Sequence, residues 1–302
     1  MNKPLEISSD LYTCPLCGPV RVRWCFEKKG RQFWQCDDCG IGMQRPLPTL
    51  AELQTYYDTQ YADGMYRTFI SAADMKAMTA RQRLSEISHL VPLSGHWLDV
   101  GSADGMFVGE ALRRGIASEG IELSTVAVQQ ARAAGLPVRQ GSLEDITRSP
   151  EYDCITAFDV LEHVIDPAGF LRELSARVRV GGHAVLTLPN VSSLYCRVMG
   201  SRWWYYIPEE HLHYFNPKTI RAMLTLAGLE TLEVSRTYKP LTFDYGLTQF
   251  VEYNPMIYRA MKLLAHLLTV KLRTRIIPLY IGEMKVIARK STRSLPSDTA
   301  AA

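Results

Sequence analysis

The chain has 302 residues, room for one large domain and a small one, with 47% hydrophobic and 22% charged residues, the balance of a globular protein. A formal net charge of +3 is too small to argue for a nucleic-acid partner by itself. No apolar run approaches the roughly 18–20 residues of a membrane span, and Met1–Asp10 lacks the apolar core of a secretory signal, so a cytoplasmic location is expected.

Residues 1–47 are dense in Cys, Gly, Pro and aromatics, with strand-like runs at Val20–Phe26 and Arg31–Gln35. Four of the seven cysteines form Cys14-Pro-Leu-Cys17-Gly and Cys36-Asp-Asp-Cys39-Gly, a C-x2-C-x18-C-x2-C spacing. In a reducing compartment this spacing favours a metal over disulfides. Four thiolates with no open position predict a closed, structural zinc site, a zinc ribbon. Gly18 and Gly40 supply the positive φ that such tight turns need. Rubredoxin-like iron, free thiols and a redox pair are the competing readings. Cys25, Cys154 and Cys196 have no partner in sequence and read as plain buried residues. Residues 48–90 read as a helical connector: Pro48–Leu53 opens helically, and Ala72–Leu90 is rich in helix formers.

From His96 the pattern alternates. Strand-like runs at His96–Val100, Ala117–Ile121, Leu136–Gln140, Tyr152–Phe158, His183–Leu188 and Leu229–Val234 are interleaved with helical stretches. These end at Arg114 or span Ser124–Ala134, Asp166–Val178 and Pro217–Ala227. Repeated units of this length predict an α/β domain over 91–290, a parallel sheet with helices on both faces. Pro255–Val270 reads as a further helix and Glu283–Ala288 as a last strand. The polar tail, 291–302, is expected to be disordered.

The chemistry concentrates after the first of these strands. Trp97-Leu98-Asp99-Val100-Gly101-Ser102-Ala103-Asp104-Gly105 is a strand ending in an acid, then a glycine-bearing turn that opens a helix. Glycines there let a ligand approach the backbone closely. Glu122, at the end of the next strand, can accept both hydroxyl protons of a ribose. Gly101, Gly105 and Gly109 do not fit the G-x-G-x-x-G of a nicotinamide site. Asp99 and Asp104 would repel a pyrophosphate. They suit a cofactor with no phosphate and a positive centre, such as a sulfonium and an amino group, and so favour S-adenosylmethionine.

The order of further segments adds specificity. These are Gly120-Ile-Glu-Leu-Ser124, Gly141-Ser-Leu-Glu-Asp145, Tyr152-Asp-Cys-Ile-Thr-Ala-Phe-Asp-Val-Leu-Glu-His-Val164, Val180-Gly-Gly182, Leu186-Thr-Leu-Pro-Asn190 and His211-Leu-His-Tyr-Phe215. Over roughly Cys14–Lys290 the chain resembles class I S-adenosylmethionine-dependent methyltransferases of the small-molecule type that carry an N-terminal zinc ribbon. The resemblance implies a Rossmann-like sheet, mostly parallel with an antiparallel last strand. It also implies site roles: Asp99 and Gly101 at the methionine end, Glu122 on the ribose, Leu123 against the adenine, and Leu143 and Glu144 at the adenine edge. Phe158 and Asp159 would close the site after the fourth strand. The middle glycine of the family's turn is Ala103, and Ser142 stands where an acid often contacts the adenine amino group.

Methyl transfer is an in-line displacement, so the enzyme's task is alignment and exclusion of water. A hydroxyl acceptor must also lose its proton. His163, after the fourth strand, is the leading base, against a packing or capping role. His211 and His213 fall on one side if their segment is extended, and could meet the acceptor or, with Glu209 or Glu210, a metal. Trp203-Trp204-Tyr205-Tyr206 reads as a lid or as packing.

The basic excess sits at the C-terminus, with nine Lys/Arg against three Asp/Glu from Val251 to Ala302. Arg259, Lys262 and His266 share one face of the expected helix there; Ile257, Met261, Leu264 and Leu268 share the other, and Lys271, Arg273 and Arg275 follow. The helix either packs on the domain or meets anionic lipid or a lipid-linked acceptor. The function expected is O-methylation of a small or carrier-linked acceptor such as a sugar, with C-methylation of a keto-sugar next. An RNA methyltransferase is disfavoured: residues 1–50 carry no dense basic stripe, and no Asn/Asp-Pro-Pro-Tyr/Phe follows the fourth strand. A non-catalytic binding module is a third class.

Overall fold

A computed structural model describes residues 12–62, 73–146, 152–244, 247 and 255–291. The expected disordered tail therefore lies, beyond Ser291, outside the described residues.

The N-terminal part is built of short strands: β1 (Tyr12–Cys14), β2 (Gly18–Val20), β3 (Val22–Lys28), β4 (Arg31–Cys36) and β5 (Gly42–Arg45). β1 and β2 pair as a hairpin around the first Cys-x-x-Cys turn, and β3, β4 and β5 form an antiparallel meander. Two helices follow, α1 (Leu50–Ala62) and α2 (Ala73–Ile87). α1 opens on a capping box in which Thr49 N and Oγ1 both donate to Glu52 Oε2 while Thr49 Oγ1 accepts from Glu52 N.

The larger part alternates as its pattern predicts. In chain order it runs β6 (His96–Val100), α3 (Met106–Arg113), β7 (Ala117–Glu122), α4 (Thr125–Ala133), β8 (Val138–Gln140) and β9 (Tyr152–Phe158). It continues with α5 (Pro167–Arg177), β10 (Val178–Pro189), α6 (Leu194–Met199), β11 (His213–Tyr214), α7 (Pro217–Leu226) and β12 (Leu229–Arg236). Last come β13 (Lys239–Leu241), α8 (Pro255–Leu267), α9 (Val270–Arg273), β14 (Ile277–Leu279) and β15 (Glu283–Lys290). Seven strands form one sheet in the order β12-β15-β10-β9-β6-β7-β8. β10, β9, β6, β7 and β8 are parallel, and β15 is antiparallel to both neighbours. This is the Rossmann-like sheet with an antiparallel last strand.

Period-two alternation divides the core between the two faces of the sheet. Ile155 and Ala157 of β9 and Ala184, Leu186 and Leu188 of β10 join Leu171 and Leu174 of α5 and Ile220, Met223 and Leu224 of α7. Their alternates, Cys154, Phe158 and Val185, join Ala80, Leu84 and Ile87 of α2 and Phe107 and Ala111 of α3. The ribbon is not a bead on a string. Cys14, Val20, Cys36, Ile41 and Met43 belong to the first of these clusters, and β11 pairs antiparallel with β5, His213 opposite Met43 and Tyr214 opposite Gly42.

Cys154 and Cys196 are buried, as expected, but Cys25 is exposed. It sits in β3, the outer strand of its sheet, where the pairing with β4 slips between Trp24 and Phe26, so it has no core to face.

The residues expected to face solvent and core on α8 are redistributed. Met261 and Leu268 are partly covered and Ala265 is buried, but Leu263, Leu264 and Leu267 are exposed beside Lys262 and His266. The side chain of Ile257 lies outside the described residues.

Candidate active site

The C-terminal ends of β6, β7 and β9 converge on one edge of the sheet. β6 delivers Asp99, buried and hydrogen-bonded to the Thr156 hydroxyl of β9 at 2.5 Å. Burial pushes its carboxyl up to about 7, against the opposing pull of that hydroxyl and of the Arg83 guanidinium. The turn that follows runs through left-handed backbone at Gly101 (φ 68°), Ala103 (φ 49°) and Gly105 (φ 75°). At Gly101 a Cβ would lie 2.6 Å from Val160 Cγ2, so this turn rests directly on the loop after β9. Glu122 ends β7. Its Oε2 accepts from Ala103 N at 3.0 Å and its Oε1 from Ser124 N at 2.8 Å, which fixes the carboxylate against the turn. Burial raises its pKa, although these backbone donors pull the other way.

Leu123 is half-buried, while Leu143 is buried within the core. Glu144 is exposed on a short 3-10 turn whose capping acid is Asp145, accepting from Ser142 N at 2.6 Å. Arg83 Cζ lies over the Phe158 ring, 4.2 Å from the ring centroid. Asp159 takes a left-handed backbone (φ 57°), pairs with Arg83 at 2.8 Å and accepts from Thr187 Oγ1 at 2.9 Å. Burial alone would raise its pKa, but Lys239 and Arg83 hold it down at about 2.

Two helices that sequence patterning marks only as connectors lie across this edge. From α1, Tyr57 meets His163 Nδ1 at 3.0 Å and Asp58 accepts from Ser124 Oγ at 3.1 Å. Tyr61 is half-buried, with its pKa raised by desolvation and by the nearby Glu122 and Asp104. From α2, Lys76 pairs with Asp104 at 2.6 Å and Arg83 with Asp159. Tyr57, Asp58, Tyr61, Lys76 and Arg83 carry no motif, and only their place over the edge marks them.

The histidines part company. His163 closes the 3-10 turn Leu161–His163, half-buried, and the desolvation that comes with this lowers its pKa to about 4. His211 packs edge-on against it, ring centroids 4.6 Å apart, and donates through Nδ1 to the Tyr205 carbonyl at 2.8 Å. Tyr205 in turn donates to Glu283, which pairs with Lys239, itself 3.6 Å from Asp159. A ligand atom from each of Glu162, His163 and His211 lies within 4.8 Å of the other two. His213 does not join them. It sits in β11, its ring against Phe215 and its Nε2 at 3.2 Å from the Ile165 carbonyl. The expectation of a shared side holds only for an extended chain, and His211 instead ends a turn, its N bonded to the Ile207 carbonyl. Nor does Glu209 approach as a ligand: it pairs with Lys29 of the ribbon at 2.8 Å. Trp203 and Tyr205 are buried among Cys196 and their aromatic neighbours, so that run is packing.

The four ribbon sulfurs, Cys14, Cys17, Cys36 and Cys39, lie within 4.8 Å of one another, and Leu16 N and Ile41 N point at Cys14 Sγ and Cys39 Sγ.

Residues 71–234 match the family model described as a methyltransferase domain. The chain belongs to that family. It is an S-adenosylmethionine-dependent methyltransferase of class I. A ubiquinone biosynthesis O-methyltransferase of Marinobacter nauticus is 29% identical over 58% of this chain and 82% of its own. One of the same name from Vibrio parahaemolyticus is 23% identical over 77% of this chain and 92% of its own. Among solved structures, a chain of the complex between the Haloferax volcanii Trm112 methyltransferase activator and a methyltransferase superposes with a TM-score of 0.53. It is 18% identical, covering 78% of this chain and 97% of that one. A methyltransferase of Archaeoglobus fulgidus gives 0.52 at 18% identity, over 75% of this chain and 100% of its own. These two establish the fold alone.

Proposed function

We propose that this methyltransferase modifies a hydroxyl oxygen of a small or carrier-linked acceptor. The observation that carries this reading is the Glu162–His163–His211 group: Glu162 and His163 follow the Val160 that packs against the Gly101 turn, and His211 joins them from a later segment. The names of the relatives, O-methyltransferases of ubiquinone biosynthesis, agree with oxygen as the target.

The residues on the cofactor side fit S-adenosylmethionine. Asp99 is a buried carboxylate that an ammonium would neutralise, and Ser102 Oγ is buried without a partner. Asp99 would hold the amino end, Glu122 the ribose hydroxyls, and Leu123 and Leu143 the adenine. The cofactor supplies an electrophilic methyl group on a sulfonium. Asp159 positions Arg83 and Lys239, and Phe158 under Arg83 helps keep water out. His163 and His211, both neutral at pH 7, offer lone pairs to the acceptor hydroxyl. A pKa of about 4 makes His163 a weak base, so orientation is its larger contribution.

The ribbon's four thiolates suit zinc: all the ligand atoms are sulfur, and N–H···S contacts surround them. A carrier-linked acceptor is favoured by one feature. Leu263, Leu264, Leu267, Val270, Leu272, Ile277 and Leu279 are all exposed, among Lys262, Lys271 and Arg275. An apolar surface ringed by cations fits the interface of an anionic bilayer.

Native mass spectrometry of the purified chain is expected to show one zinc and, on addition, one S-adenosylhomocysteine, with affinity on the order of tenfold weaker in Glu122→Ala. Methyl transfer would then be assayed on hydroxylated sugars, polyols and phenols. Failure of the folded wild type to bind the cofactor product, or transfer to carbon or nitrogen alone, would overturn the reading.

A further inference from the structure

We propose that Glu162, His163 and His211 hold a first-row divalent cation on the acceptor side of the active site, separate from the four-cysteine ion. Two imidazoles and one carboxylate are a donor set that such cations take, with positions left open for other ligands. The three donor atoms are within 4.8 Å of one another, so closing to the roughly 2.0–2.2 Å bonds of a bound ion requires small side-chain shifts.

Three further observations point to a ligand. First, Glu162 is 1% exposed, and its Oε2 is buried with no hydrogen-bond partner. A carboxylate oxygen in that state is costly unless something positive meets it. Second, the nearby cations are committed elsewhere. Arg83 pairs with Asp159, and Lys239 with Asp159 and Glu283. Among the described residues no Lys or Arg forms an ion pair with Glu162, while a further carboxylate, Glu210, lies 4.0 Å from His163 Nδ1. Third, the Nδ1–H of His211 is spent on the Tyr205 carbonyl at 2.8 Å. That bond fixes the tautomer with the lone pair on Nε2, the way ligating histidines are ordinarily oriented.

The site is assembled from distant parts of the chain. Glu162 and His163 are adjacent on the turn after β9, and His211 comes from the segment that the ribbon anchors through β11. The cation gives the acceptor a binding point. A hydroxyl entering an open position becomes a stronger acid, its proton leaving to solvent, and the oxygen is held in place for attack on the methyl group. His163 then acts as a ligand. The purpose assigned to the ion rests on the O-methylation reading, but its binding does not.

The test titrates the zinc-loaded full chain with Mn2+, which thiolates hold weakly, following free Mn2+ by electron paramagnetic resonance. Saturation at one Mn2+ per chain is expected, with binding about tenfold or more weaker in Glu162→Gln and in His211→Gln and unchanged in the exposed control Glu230→Gln. Wild-type protein with 15N-labelled histidine provides a readout independent of how those variants fold: Mn2+ should broaden the ring signals of His163 and His211 and spare His89 and His266. Absence of saturable binding, or broadening confined to His89 or His266, would overturn the proposal. If S-adenosylhomocysteine still binds in that outcome, the methyltransferase reading stands and only the cation is lost; if it does not, both fall.

Discussion

At the scale of single residues, the cofactor edge depends on backbone shape and on one buried charge. Gly101 needs both its left-handed φ and its missing Cβ, since a side chain would meet Val160 at 2.6 Å. Ala103 tolerates a similar φ because its amide is used: it donates to Glu122. The local string Leu98–Gly105 made this turn legible, since a glycine-bearing break between strand and helix has few other uses. Asp99 yields a sharper prediction. Its pKa of about 7 in the free enzyme would fall once an ammonium sits beside it, so below that pH cofactor binding must expel a proton. Affinity for S-adenosylhomocysteine should therefore rise with pH from roughly 5.5 to 7 and then level off. Calorimetry at pH 6 in buffers of different ionisation enthalpy should detect the released proton, and Asp99→Asn should abolish it. A pH-independent affinity with no proton release would show that Asp99 does not meet the amino group.

At the scale of elements, the ribbon acts as a buttress. Its last strand, β5, pairs with β11, Lys28 donates to the Tyr206 carbonyl at 2.8 Å, and Phe26 and Phe33 pack on Tyr206 and Tyr214. These contacts fix the segment that presents His211. Loosening the ribbon should therefore injure the acceptor side more than the cofactor side. Cys36→Ser is expected to lower the thermal midpoint by several degrees and to cut methyl transfer on the order of tenfold or more. S-adenosylhomocysteine affinity should change by less than about threefold, because Asp99 and Glu122 lie on β6 and β7 and Gly101 on the turn directly after β6. Equal loss of both activities would mean that the ribbon supports the whole fold indiscriminately. The spacing of the cysteines announced the ribbon but not this attachment, since β11 is two residues long and joins its sheet across some 170 residues of chain. α1 and α2 were legible as helices, and their positions over the site were not, because helix-forming composition says nothing about what a helix covers.

At the scale of the whole molecule, the exposed apolar side chains from Leu263 to Leu279 give the chain a distinct face. Leu267 is 82% exposed and Leu263 70%, values that leave large aliphatic groups in water unless something covers them. Among the described residues, no helix is long and apolar enough to cross a membrane, so contact would be at the interface. Co-sedimentation with vesicles containing anionic lipid is expected for wild type, declining with added salt, and Leu263→Asp/Leu267→Asp should reduce it several-fold. Wild-type protein that ignores anionic vesicles would remove the lipid surface from the account.

The sequence alone determined what depends on neighbours along the chain. Period-two and helical runs defined the strands and helices, their alternation the α/β class, the cysteine spacing the ribbon, and the acids around a glycine turn the kind of cofactor. Local sterics and hydrogen-bond pattern act over a few residues, so such features are written locally. Only the tertiary structure decided which side chains share space. It brought His211, not His213, to His163; it placed Tyr57, Arg83 and Lys239 at the site and Glu209 on the ribbon. Those outcomes follow from how sheets, caps and turns pack over long sequence separations, where a single turn ending at His211 reverses what alternation would predict.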